Sequence, residues 1–255
     1  MKRIITALVL IPVFTYVTLW AHPWVFLTAL SLVALLCFHE YCGIVAAHGL
    51  NRPGAVAYAG GLLILLTPEQ SAIAVTMLTL LTLALALRNG NLEKVLPTAS
   101  AGVLGMIYIF GAWRFAISLR AASPYWLFFG LALSWIGDSA AYYAGRATGK
   151  HKLAPRISPA KSWEGSVAAF CVSLIFGFFY LSWLIPAFPV AGRLAISAAG
   201  NIAAQLGDLA ESAIKRGAGI KDSGLLLPGH GGWLDRVDST LFALPVIYLM
   251  MRVAW

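Results

Sequence analysis

The chain has 255 residues, of which 60% are hydrophobic and 11% charged, and its formal charge is +8. A soluble globule of this length has too little interior to hide so much apolar surface, so the composition excludes an ordinary soluble domain and indicates an integral membrane protein. The basic excess points to no particular partner until its placement along the chain is known.

In chain order, apolar segments fall at about 4–20, 24–38, 55–67, 71–87, 99–119, 124–145, 166–185, 190–206 and 240–255. This predicts an all-α polytopic integral membrane protein with about nine transmembrane helices and two long cytoplasmic polar loops, 146–165 and 207–239. The third and last segments are short or weak, so eight and ten helices are the alternatives. The long alternation of polar and apolar residues typical of outer-membrane barrels is missing. The opening run MKRIITALVLIPVFTYVTLW starts basic, as a signal peptide does. Its apolar stretch is long and no A-x-A-like site follows, so an uncleaved first span is expected. Cys37, Cys42 and Cys171 have neither metal-ligand spacing nor an even disulfide framework, and are expected as reduced, buried thiols.

With the N-terminus inside, nine spans place fourteen of the eighteen Lys and Arg residues on the cytoplasmic side. Arg120, Arg193 and Arg252 fall outside, and Arg114 lies within a span. This is the positive-inside asymmetry of a membrane protein, and it removes nucleic acid from the expected partners. Seven of the ten acidic residues lie between Asp138 and Asp238. The chain therefore divides into N-terminal transmembrane helices, 1–120, and a C-terminal transmembrane catalytic region, 121–255.

The first polar region runs SWIGDSAAYYAGRATGKHKLAPRISPAKSWEGS. Asp138, Tyr142 and Arg146 recur every four residues and so share a helix face. An ionisable group on an apolar helix is a functional candidate by default, with Arg146 as its expected partner; a purely structural Asp–Arg pair is the alternative. Pro155 and Pro159 then prevent helix continuation. Lys161 and nearby hydroxyls beside Trp163 suit a nucleotide, although a tryptophan here also serves as an interfacial anchor.

The second region opens in a helix, NIAAQLGDLAESAIKR, where Asp208, Ser212 and Lys215 form one polar stripe. Glu211 can pair with Lys215 four residues on. The loop KDSGLLLPGHGGWLDRVDS follows. If helical, its closing carboxylates Asp235 and Asp238 share a face. Carboxylates flanked by cations suit a phosphate-bridging Mg²⁺, which takes oxygen ligands and retains waters and substrate phosphates. The glycines of PGHGG allow backbone N–H groups to approach a phosphate.

The run SAIKRGAGIKDSGLLLPGHGGWLDRVD, residues 212–238, resembles the C-terminal motif of the phosphatidate cytidylyltransferases, the CDP-diacylglycerol synthases. It meets S-x-apolar-K-R-x4-K-D-x-small-x2-apolar-P-x-H-G-G-apolar-x-D-R-apolar-D at every specified position. The upstream SPAKSWEG is similar to the family's S-P-K-K-T-W-E-G, with Ala160 and Ser162 as departures. The motifs cover roughly the C-terminal half. The resemblance implies that CTP and phosphatidate yield CDP-diacylglycerol and pyrophosphate with Mg²⁺, and leaves room for a second, monovalent cation. It also implies a homodimer among membrane lipids in the bacterial cytoplasmic (inner) membrane, with its active site facing the cytoplasm. Metal would be held by Asp208, Asp235 and Asp238. Lys215, Arg216, Lys221, Asp222, His230 and Arg236 would be catalytic, with His230 donating a hydrogen bond rather than abstracting a proton. Ser212, Lys161, Gly231, Gly232, Asp138, Tyr142 and Arg146 would bind substrate. A CTP-dependent lipid kinase, which would release CDP, and an ion-coupled transporter are the competing readings.

Overall fold

The computed structural model describes residues 2–67, 72–88, 90–226 and 231–254. Helices α1 (Lys2–Leu19), α2 (Pro23–Ala47), α3 (Ala55–Leu66) and α4 (Ala72–Ala86) come first. A 3-10 turn (Leu92–Lys94), α5 (Val95–Gly105), a π-helical turn (Met106–Gly111) and α6 (Ala112–Ala122) then form one uninterrupted rod. There follow α7 (Pro124–Thr148), strands β1 (Lys152–Ala154) and β2 (Ser158–Ser162), α8 (Trp163–Leu184), α9 (Val190–Gly217) and α10 (Leu234–Ala254). Each apolar segment expected from the sequence is helical among the described residues.

Span length is more restrictive. Among the described residues, three helical stretches are long and apolar enough to cross a membrane: Pro23–Ala47, Leu92–Ala122 and Trp163–Leu184. The apolar helices α3 and α4 are shorter. The long helix α9 gives part of its length to Arg193, Asp208, Glu211, Lys215 and Arg216. One element departs from the all-α expectation. In the first polar loop β1 and β2 pair antiparallel, Lys152 opposite Ser162 and Ala154 opposite Ser158. Proline disfavours helical conformation in the residue before it, and Ala154 and Ser158 stand directly before Pro155 and Pro159.

By contact the chain forms two compact units: Met1–Val17 with Ala21–Arg114 and Gly217–Arg236, and Thr18–Trp20 with Phe115–Arg216 and Val237–Trp255. Chain order alone would not group them so, because the signature segment 217–236 belongs with the N-terminal helices.

In the first unit, Phe38 lies at the centre of an aromatic cluster with Tyr41, Tyr58 and Phe110. Tyr41 also donates from its hydroxyl to the Ala101 carbonyl at 2.9 Å, joining α2 to α5. A buried phenol needs such a partner, and here the partner fixes which face of α2 meets α5.

In the second unit, α7 begins at Pro124 behind Ser123, whose side chain accepts from the Tyr125 N–H. Trp126, Phe129, Phe176, Tyr180 and Phe188 build its apolar core. Small residues allow close helix approach, as in membrane bundles generally. A Cβ on Gly177 of α8 would come within 2.8 Å of Ser197 Cβ on α9. Gly177→Val is therefore expected to cost about 1–3 kcal/mol by overpacking, read as a lower thermal unfolding midpoint in detergent, whereas Val172→Ala, at an exposed position of the same helix, should move it little.

Candidate active site

The hairpin and the adjoining helix ends of the second unit enclose a cavity of about 570 Å³. Asp138, Tyr142 and Arg146 from α7, Lys152 and Lys161 from the hairpin, and Asp208 from α9 line it. The sequence places these residues in one region; the hairpin brings them around one space. Ser162 caps α8 by accepting from the Gly165 N–H at 3.2 Å. Glu164, two residues further on, accepts from the His151 N–H and lies 2.7 Å from His151 Nδ1. Both ends of the hairpin are thus fastened to the start of α8, and Lys161 is carried to α9. There its ammonium sits 2.5 Å from Asp208 Oδ2. Arg216 donates from Nε to the Ile157 carbonyl at the hairpin turn, at 3.3 Å.

Helical spacing holds for the α7 stripe. Arg146 donates to the Tyr142 hydroxyl at 3.2 Å. Asp138 has a different neighbour from the one the sequence suggested: the Ser239 hydroxyl on α10, 3.2 Å from its Oδ2. That hydroxyl is also 3.4 Å from Asp238 Oδ1 and can donate to one carboxylate at a time. Asp238 is buried, accepts from the Ser239 N–H at 2.7 Å, and lies within electrostatic reach of Asp208, Glu211 and Asp138. On α9, Ser212 faces Asp208 at 3.5 Å. Glu211 pairs with Lys215, and this is a buried ion pair, unlike the surface pair that i, i+4 spacing on its own would suggest.

Two further residues of the cavity wall are neutral and were not evident in the sequence. Ser166 donates to Gln205 Oε1. Gln205 in turn donates to the Ser166 carbonyl and, at 2.6 Å, to Asn201 Oδ1. Asn201 continues the chain to Ser173 at 2.9 Å. A ladder of hydrogen bonds thus runs between α8 and α9 and holds the wall of the cavity rigid.

The signature segment of the first unit is organised by carboxylates. Asp235 Oδ2 accepts from the Ser223 N–H at 3.0 Å and the Gly232 N–H at 2.8 Å. Gly231 adopts φ +79°, a conformation that favours glycine, and a Cβ there would meet Asp235 Oδ2 at 2.8 Å. Lys221, Asp222 and Arg236 are exposed. His230 lies outside the described residues. Glu40 of α2 is a further residue that sequence reasoning missed. Only 3% exposed, it accepts from the Ser223 hydroxyl and from the Trp233 and Leu234 N–H groups. The available signal was a lone carboxylate in the apolar run CFHEYCGI.

The donors suit a hard cation. Asp208, Asp235 and Asp238 offer oxygen alone, and the acidic surroundings of Asp238 are an environment that positive charge relieves. Among the described residues no group of three or more His, Cys, Asp or Glu side chains is gathered closely enough to hold a metal alone. Mg²⁺ typically uses one or two carboxylates together with substrate phosphates rather than an all-protein cage, so carboxylates such as these suit that metal.

Removing one member of a buried ion pair leaves the other charge without its counterpart, a loss of about 3–5 kcal/mol. Glu211→Gln should accordingly lower the unfolding midpoint far more than Glu164→Gln, and Glu211→Leu/Lys215→Met should recover much of the loss; thermal unfolding of the four proteins in detergent tests this.

Residues 1–254 match a family described as the Cytidylyltransferase family. A phosphatidate cytidylyltransferase of Staphylococcus aureus (strain COL) is 30% identical over 257 residues, covering 98% of each chain. Its Bacillus subtilis counterpart is 40% identical over 154 residues, 59% of this chain and 57% of the relative. A Haemophilus influenzae phosphatidate cytidylyltransferase is 40% identical over 146 residues, 54% of this chain and about half, 51%, of the relative. With the family matched across residues 1–254, this chain belongs to the cytidylyltransferase family.

Proposed function

We propose that this protein transfers the cytidylyl group of CTP to phosphatidate, giving CDP-diacylglycerol and pyrophosphate for phospholipid biosynthesis. The observation that carries this reading is the cavity lined by Lys161, Asp208, Asp138, Tyr142 and Arg146 in a chain matched to the family throughout. Its volume lies within the range of about 300–1,000 Å³ usual for small-ligand sites.

The nucleophile is a phosphate monoester oxygen whose second pKa is about 6. At neutral pH it is already largely deprotonated, so the reaction needs no strong general base. The phosphatidate oxygen attacks the α-phosphorus of CTP, a new P–O bond forms, and the bond to the bridging oxygen of the β-phosphate breaks. Pyrophosphate leaves with that oxygen. The main barrier is repulsion between two polyanions, which cations held in fixed positions reduce. Lys161 and Lys152 face the cavity and are assigned to the CTP phosphates, with Ser212 beside Asp208 as a further donor. Lys215, Arg216, Lys221 and Arg236 are assigned to the lipid phosphate and the departing pyrophosphate. Asp222 orients Lys221, and the Gly231 backbone and His230 are assigned as neutral donors, the Gly232 N–H being taken up by Asp235. Asp208, Asp235 and Asp238 are the residues that would hold Mg²⁺, which would supply positive charge to offset that of the phosphates. A second, monovalent cation belongs to the same expectation.

The proposed setting is a bacterial cytoplasmic membrane, with about nine spans, a homodimeric assembly and the site on the cytoplasmic side. Phosphatidate presents its phosphate at headgroup depth and CTP arrives from the cytosol, so helix ends and loops on that side meet both.

Purified protein supplied with CTP and phosphatidate should release pyrophosphate and form CDP-lipid only when Mg²⁺ is present; release of CDP instead would identify a lipid kinase. Asp235→Asn and Asp208→Asn should each lower turnover by at least about a hundredfold while the protein stays folded, and near-wild-type turnover would remove the metal role. Lys161→Ala should raise the KM for CTP about tenfold, as loss of a hydrogen bond to a charged group does. His230→Gln should retain partial activity, since a neutral donor survives.

A further inference from the structure

We infer that Glu40 on α2 is a positioning residue for the reaction, holding both ends of the 223–234 segment and, through Ser223, the carboxylate of Asp235. The inference rests on the reading of Asp235 as a metal ligand.

Glu40 is 3% exposed, on a helix that is otherwise apolar around it. A carboxylate withdrawn from water so completely requires its hydrogen bonds from the protein. All three described donors come from one short stretch of chain. Oε1 accepts from the Trp233 N–H at 3.0 Å; Oε2 accepts from the Leu234 N–H at 2.9 Å and from the Ser223 hydroxyl at 2.9 Å. The first two are open N–H groups at the start of α10. That helix has a tryptophan immediately before its first residue, and an indole cannot accept the bond that Ser, Thr, Asn or Asp accepts at this position. The N-terminal cap of α10 is therefore supplied by a residue of α2, nearly two hundred positions earlier, and the anion sits at the positive end of the helix dipole.

Asp235, itself in the first turn of α10, is then available for the loop. It accepts the Ser223 and Gly232 N–H groups. Ser223 is common to both carboxylates: its hydroxyl goes to Glu40 and its N–H to Asp235. Two anions thus interlock through one serine, and a shift of Glu40 moves the residue that sets the direction of Asp235. The glycines report the same closeness. A Cβ on Gly224 would come within 2.6 Å of Glu40 Oε1, and one on Gly232 would overlap the Ser223 hydroxyl and Glu40 Oε2. The second glycine of the H-G-G motif is thereby explained by the space the Glu40 carboxylate occupies.

Glutamine is the informative replacement. Its amide offers one acceptor where Glu40 offers two, so whichever way it turns, either the Trp233 or the Leu234 N–H faces a donor. Groups that orient metal ligands without touching the metal typically alter affinity or activity by about 10–100-fold. Glu40→Gln is expected to lower kcat by about tenfold or more and to raise the half-saturating Mg²⁺ concentration by a similar factor, with the KM for CTP within about threefold of wild type. Ser223→Ala should move kcat and the Mg²⁺ requirement in the same direction by less, and the double variant should be no worse than Glu40→Gln alone, because coupled residues are non-additive. Wild-type kcat and Mg²⁺ requirement in Glu40→Gln would overturn the inference even with a lowered unfolding midpoint, because a purely structural cap changes only the latter. Fully additive losses in the double variant would overturn the relay through Ser223. Should Glu40→Gln fail to fold, Ser223→Ala decides the matter: wild-type values in it overturn the inference. Asp235→Asn, assayed alongside, separates two failures. An active Asp235→Asn protein overturns the metal reading and the positioning role with it, whereas an inactive one beside a wild-type-like Glu40→Gln overturns the positioning role alone.

Discussion

A polar atom carried on an apolar helix has to find its hydrogen-bond partner within the protein, because leaving it bare in hydrocarbon costs several kcal/mol. In this chain that requirement decides how the buried polar residues are held. Glu40 meets it by capping α10, Glu211 by pairing with Lys215, and Asn201 and Gln205 by joining Ser173 and Ser166 in one ladder. The Glu40 and Asn201–Gln205 solutions tie a buried polar residue to a second element, whereas the Glu211–Lys215 pair stays within α9.

The two compact units meet the requirement differently. In the second, cations and carboxylates line one cavity, and the hairpin supplies its two lysines, Lys152 and Lys161. In the first, two carboxylates and a serine shape a glycine-rich segment, with the Ser223, Gly232, Trp233 and Leu234 N–H groups turned toward those carboxylates. One unit arranges charged side chains while the other arranges backbone.

Legibility in the sequence followed range. Helical periodicity put Asp138, Tyr142 and Arg146 on one face and Asp208, Ser212 and Lys215 on another, and both stripes stand on helices as expected. Partners across elements were not readable. Nothing in the spacing of Asp138 and Arg146 reveals that Ser239 would face the aspartate, or that Glu211 and Lys215 would be buried. The hairpin escaped because periodicity says little about a few residues between prolines, although Pro155 and Pro159 marked the place. Glu40 escaped because a lone acid in an apolar run has no local partner.

What the sequence by itself determined was the membrane-protein composition, the helical segments, and the family through the 212–238 motif. Those are properties of local pattern: apolar length, a 3.6-residue period and an ordered string of residue types. Only the tertiary structure decided that Lys161 meets Asp208, that the signature segment packs with the N-terminal helices, and that Glu40 caps the last helix. Those pairings bring together residues from 47 to 194 positions apart, and at such separations it is packing and the satisfaction of buried polar groups, rather than spacing along the chain, that select the partner.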